Sequence, residues 1–224
     1  MGITIDIIKD SVKYTELLSA ITGSIFFYKY KHTHLKFFLF LLWYITITEF
    51  LGWFLTEKRI LVYVDENGLI YNLWLYNLLE IITFSFLFYI YYKSLSTNIH
   101  KFWVSIFFIS FLIVTIINWA FIQNFILEWS ELPNIFGSLF LIVSILFYLI
   151  QLLKSEQILI FHKSLLFWIS IGLLIFYACT IPFSIKMNGY ALIPGIHKLF
   201  LIIYVSAIIM YLTFTFGFIW SKKE

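Results

Sequence analysis

The chain is a succession of apolar runs, each about twenty residues long, separated by short polar connections. A helix rising 1.5 Å per residue needs roughly twenty such residues to cross a hydrocarbon core of about 30 Å. We read seven spans: Val12–Tyr28, Leu35–Thr56, Tyr71–Tyr92, Phe102–Ile122, Asn134–Leu153, Leu159–Ile185 and His197–Trp220. Lys13 and Glu16 interrupt the first run, so a six-span alternative with an N-terminal surface helix stays open. The pattern predicts an all-α polytopic membrane bundle, one domain over residues 1–224, with short loops and little else.

Composition agrees. Hydrophobic residues make up 62% of the chain and charged residues 12%, against roughly 25% charged in soluble domains. Mean hydropathy is +0.95. Cys179, the single cysteine, sits inside an apolar run and reads as a small packing residue. The opening MGITIDIIKD has no basic segment leading into an apolar one, and Asp6 breaks the myristoylation pattern, so neither a signal peptide nor a lipid anchor is expected.

Basic residues in short loops set orientation. One set of loops carries nine: Lys29, Lys31, Lys36, Lys93, Lys101, Lys154, Lys163, Lys222 and Lys223. The opposite set carries six: Lys9, Lys13, Lys58, Arg59, Lys186 and Lys198. Asp6, Asp10, Glu57, Asp65, Glu66, Glu128 and Glu131 lean to the poorer side. That asymmetry predicts an N-terminus outside and a C-terminus in the cytosol. Fourteen lysines against one arginine point to an AT-rich bacterial genome, hence a bacterial cytoplasmic (inner) membrane.

The informative residues are the polar ones within the spans. Glu49 and Glu80 lie at bilayer depth, where a carboxylate is costly and marks a site, a proton path or a satisfied structural pair. On the third span Asn77, Glu80 and Thr83 recur every three residues on one face, with Tyr76 close by; on the second, Thr46, Glu49 and Gly52 do the same. Counting about 1.5 Å per residue puts Glu49 roughly 10 Å, and Glu80 roughly 13 Å, below the outer ends of their helices. Asn118, Glu16, Tyr177, Thr180, Tyr204 and Ser206 reach the same outer half. We read a polar crevice opening outward, with Glu49, Glu80, Asn77, Asn118, Thr83 and Tyr177 as ligand- or ion-binding candidates. If the two carboxylates meet, they share a proton or hold a cation. The alternative is that these groups only bond helix to helix.

Other features point away from catalysis. His32, His34, His100 and His162 fall in the basic loops, where a face beside lipid headgroups is a plainer reading than a zinc site. No HExxH, GxSxG or Gly-rich phosphate loop occurs. Neither a catalytic residue nor a metal nor a cofactor is expected. The tryptophans, Trp129 among them, read as interfacial belt residues rather than a ligand cage. Pro182 bends the end of the sixth span. Ser206, Met210, Thr213 and Gly217 form a small-residue stripe for close packing, within the chain or between copies. A lysine inside the seventh span would have suggested retinal, but Lys198 lies at its edge.

The segments YNLWLYNLLEIITFSFLFYIYY and FWISIGLLIFYACTIPF resemble parts of the seven-helix membrane input regions of bacterial sensor histidine kinases. Those regions sense at the membrane and signal through an attached kinase. No kinase sequence is present here, so the resemblance implies a stand-alone membrane module. Three functions follow: a non-enzymatic sensor or partner-binding subunit, an oligomeric ion channel or pore, or an intramembrane lipid-modifying enzyme. The first is favoured, because no repeated halves suggest a transporter and no Gly-rich filter suggests a channel. The expected partners are the bilayer, a cytosolic or membrane protein, or further copies of the chain, and no nucleic acid.

Overall fold

In apolar surroundings backbone N–H and C=O groups find partners only within helices or closed barrels, so the apolar runs become helices. A computed structural model describes residues 2–64, 70–185, 189 and 197–223. Among them are seven long helices: α1 (Gly2–Ile25), α2 (Lys36–Lys58), α3 (Leu73–Ser94), α4 (Asn98–Ile117), α5 (Glu131–Leu153), α6 (Leu165–Ser184) and α7 (His197–Trp220). A π-turn, Asn118–Ile122, extends α4. Six helices, α2 to α7, are long and apolar enough to cross a membrane. The protein is therefore an all-α bundle of multi-pass membrane type.

Most helix ends shift by a few residues from the sequence reading; the starts of α1 and α6 shift further, and a short ribbon is added. Helix α1 begins at Gly2, ten residues before Val12: the segment GITIDIIKDS, which holds neither proline nor an internal glycine, continues the helix beyond the run read as a span. Helix α6 begins at Leu165, not Leu159: Glu156–Leu159 and Phe161–Lys163 form short 3₁₀ turns, and Ser164 is extended just before the helix. Between α2 and α3 lies a two-stranded antiparallel ribbon, β1 (Tyr63–Val64) with β2 (Ile70–Tyr71), pairing Tyr63 with Tyr71 and Val64 with Ile70. These aromatic and β-branched residues favour extended backbone. Residues 65–69, 186–188 and 190–196, which include Asp65, Glu66 and Lys186, lie outside the described residues.

The helices close into a ring. Each packs on its neighbour in sequence, and α1 closes the circle against both α2 and α7. Helices α3 and α5 also touch directly, which pushes α4 to the outside. Only 17% of α4's apolar window is buried, against 39–44% in the other five. The core is aromatic: Phe84 lies 5.0 Å from Phe111 and 5.5 Å from Tyr177, and Phe38 meets Phe214 edge-on at 5.0 Å.

Helix α1 has a polar inside and an apolar outside. Glu16, Ser19, Ala20, Thr22 and Gly23 are buried, while Tyr14, Leu18, Ile21 and Ile25 are exposed. A helix on a water-soluble protein shows the reverse.

The small residues of α7 serve packing inside the chain. A Cβ at Gly217 would lie 2.6 Å from the Trp168 Cβ on α6, an atom held by its own backbone. Gly217→Val is therefore expected to separate α6 from α7 and cost about 1–3 kcal/mol. Thermal unfolding in detergent checks this, and an unchanged midpoint would contradict it.

Candidate binding cavity

Glu49 and Glu80 line one half-open cavity of about 280 Å³ between the helices. Helices α2, α3, α5, α6 and α7 wall it, and Trp129 and Ser130 of the α4–α5 connection also line it. Thr83 and Tyr177 also line it, so four of the six sequence candidates come together. The rest of the wall is mostly aromatic and aliphatic, including Phe38, Phe84, Phe176 and Phe214. Among the described residues neither lysine nor arginine lines it.

The two carboxylates have different surroundings. Tyr76 donates its hydroxyl to Glu49 Oε2 at 3.3 Å. Glu80 lies against the Asn134 side chain, whose Oδ1 is 2.8 Å from the Ser184 hydroxyl, and Tyr177 is its electrostatic neighbour. Glu80 Oε1 is shut off from solvent and has no hydrogen-bond partner. The carboxylate on which Glu49 acts is Glu16, not Glu80. Glu16 is 3% exposed, with the Thr46 and Tyr211 hydroxyls against it and Oε1 unpartnered.

Glu49 belongs to two spaces. It also lines a recess of about 230 Å³ between α1 and α2, with Asp10, Lys13, Tyr14, Glu16, Phe50 and Trp53. Lys13 and Asp10 pair there at 3.7 Å and are partly exposed, so the recess reaches the rim of the bundle. Glu49 thus stands between a rim recess with a cation and an inter-helix cavity where, among the described residues, none lies. The expected outward crevice is two spaces sharing a carboxylate.

Asn77 and Asn118 do not line the cavity. Asn77 is fully buried, and its amide is spent on the α4–α5 connection: Nδ2 donates to Phe125 O (2.7 Å) and Glu128 O (2.9 Å). Its Oδ1 accepts from Ser130 N (3.2 Å) and Ser130 Oγ (3.0 Å). Asn118 is buried in the π-turn, and neither amide atom has a hydrogen-bond partner. Trp129, expected in the interfacial belt, instead stands on the cavity wall with its ring 5.6 Å from that of Tyr76. Tyr211 and Asn134 went unread, because one tyrosine among fifteen and one asparagine at a helix start carry no signal of their own.

At the basic end the histidines stay apart. His34 bonds Ser94 Oγ at 2.7 Å, while His100 stacks on Phe147 at 4.5 Å in a different recess. Burial, and then the charge of Lys93, hold the His34 imidazole below the usual histidine value.

Chemically, the cavity offers carboxylates, phenols and aromatic faces to something small. Its volume falls just under the roughly 300–1,000 Å³ of drug-sized pockets. A charged carboxylate in such surroundings needs a paired cation, and a neutral one needs a proton. No family model matches the chain, and no curated protein or solved structure proves similar to it.

Proposed function

We propose that this chain is a non-enzymatic membrane sensor or partner-binding subunit whose inter-helix cavity takes a small organic cation. The observation that carries the reading is that Glu49 and Glu80 share one aromatic-lined cavity on which, among the described residues, no basic side chain lies. Carboxylates supply charge, and the tyrosine, tryptophan and phenylalanine faces attract a cation by their quadrupoles. The Glu80 oxygen without a partner is the group a ligand would satisfy.

The chain spans the membrane seven times, with the N-terminus outside and the C-terminus in the cytosol of a bacterium. The polar inside and apolar outside of α1 support the seventh span, and the excess of loop lysines supports the orientation. On a Cys179→Ala background, Lys58→Cys is expected to react with an impermeant maleimide in intact cells, and Thr97→Cys is not. The reverse pattern would overturn the orientation.

Purification in mild detergent with mass spectrometry of what stays bound tests the function. A stoichiometric protein partner, or a retained small cation, is the expected result. A bare homo-oligomer that carries ions across liposomes would favour the second reading, an ion path. That reading rests on Glu49 lining both spaces, and it predicts reduced flux in Glu80→Gln.

A further inference from the structure

At the opposite end from the Lys13–Asp10 pair, a recess of about 450 Å³ opens where α2 begins and α3, α5 and α7 end. Lys163, Lys222, Lys223 and His34 line it, with Ser94 and Gln151, and among the described residues no carboxylate does. Among the described residues no carboxylate lies within ion-pair distance of these lysines.

The recess is held in shape by its surroundings. Lys222 N donates to Lys163 O at 2.9 Å, tying the α5–α6 connection to the end of α7. The Lys163 ammonium lies 3.8 Å over the Trp220 ring. The carbonyls that close α7 would be natural partners for these lysines, but Lys29 has taken them. Its Nζ donates to Phe218 O (3.0 Å), Ile219 O (2.7 Å) and Ser221 O (2.8 Å). Among the described residues the recess lysines thus lack a carboxylate partner, and a further buried cation, Lys29, lies close by.

We propose that this recess binds a phosphate group. Three ammonium groups suit a compact anion with several oxygens, and the Ser94 and Gln151 side chains on the wall add polar atoms for hydrogen bonds. The same chemistry is offered by an anionic phospholipid headgroup and by a free phosphate compound. Partly exposed Ile160 and Phe161 on the rim would meet acyl chains in the first case.

The test uses the purified full chain in neutral detergent at ionic strength matched with potassium chloride. One arm titrates inorganic phosphate by calorimetry. The other exchanges the protein into phosphatidylglycerol or phosphatidylcholine and counts retained lipid by native mass spectrometry. Saturable phosphate binding identifies the free source, and preferential retention of phosphatidylglycerol identifies the headgroup. Whichever probe binds is expected to bind about thirtyfold more weakly to Lys163→Gln/Lys222→Gln/Lys223→Gln, about threefold for each exposed contact. Lys222→Gln alone, about threefold weaker, keeps the test readable if the triple variant does not fold. Lys31→Gln, on an exposed lysine at the same end, should bind normally. Binding of neither probe, or equal losses in the recess variants and Lys31→Gln, would overturn the proposal.

Discussion

Asn77→Leu is expected to destabilise the bundle by about 2–4 kcal/mol, because it strands the buried Ser130 N–H and hydroxyl at about 1–3 kcal/mol each. It leaves the Phe125 and Glu128 carbonyls, which are only partly buried, to water. Both amide hydrogens and both lone pairs of Asn77 are in use, which is all that an asparagine can offer. Leucine fills a similar volume, so the loss reports hydrogen bonds rather than a cavity. Ser130 also accepts from Trp119 Nε1 at 2.7 Å, so the disturbance should spread to the π-turn. Chemical or thermal unfolding in detergent measures it, with limited proteolysis at residues 123–130 as a local readout. A loss below about 1 kcal/mol, within the range of an ordinary surface change, would mean that the clamp is dispensable.

Glu80→Leu is expected to do the opposite. Glu80 sits one helical turn from Asn77 on the same face, yet one of its oxygens has no partner. Removing a buried acid whose bonding is incomplete should leave stability unchanged or raise it by up to about 2 kcal/mol. The response to a cationic ligand should be lost entirely. Asn134 would lose one neighbour but keep Ser184, so local disorder is not expected. A Glu80→Leu protein that unfolds readily would make Glu80 a structural residue, and the cavity reading would lose its main support.

This contrast marks the limit of what the sequence could reveal. Spacing put Asn77, Glu80 and Thr83 on one face, and depth counting put Glu49 level with Glu80; the cavity brings Glu49, Glu80 and Thr83 together but leaves Asn77 out. Periodicity cannot tell a polar group that is fully bonded from one that is not, because the partners of Asn77 lie some fifty residues away in a loop. It also paired Glu49 with Glu80 across adjacent helices, whereas Glu49 acts on Glu16. That contact depends on α1 closing the ring between α2 and α7, which no local pattern encodes. The helices themselves were legible because long apolar runs leave few alternatives. Their ends were less so. Leu159, Ile160 and Phe161 continue the apolar run of α6, but the chain spends them on turns at the basic end.

The cavity is the centre of this account, and ligand titration tests it most directly. Small alkylammonium ions of increasing size would be added to the purified chain while tryptophan fluorescence and thermal midpoint are followed. Trp129 on the wall should report entry. The account predicts saturable change and stabilisation by ions that fit about 280 Å³, weakened in Glu49→Gln and absent in Glu80→Leu. No saturable response across the series, or the same response in both variants as in the unaltered protein, would contradict it.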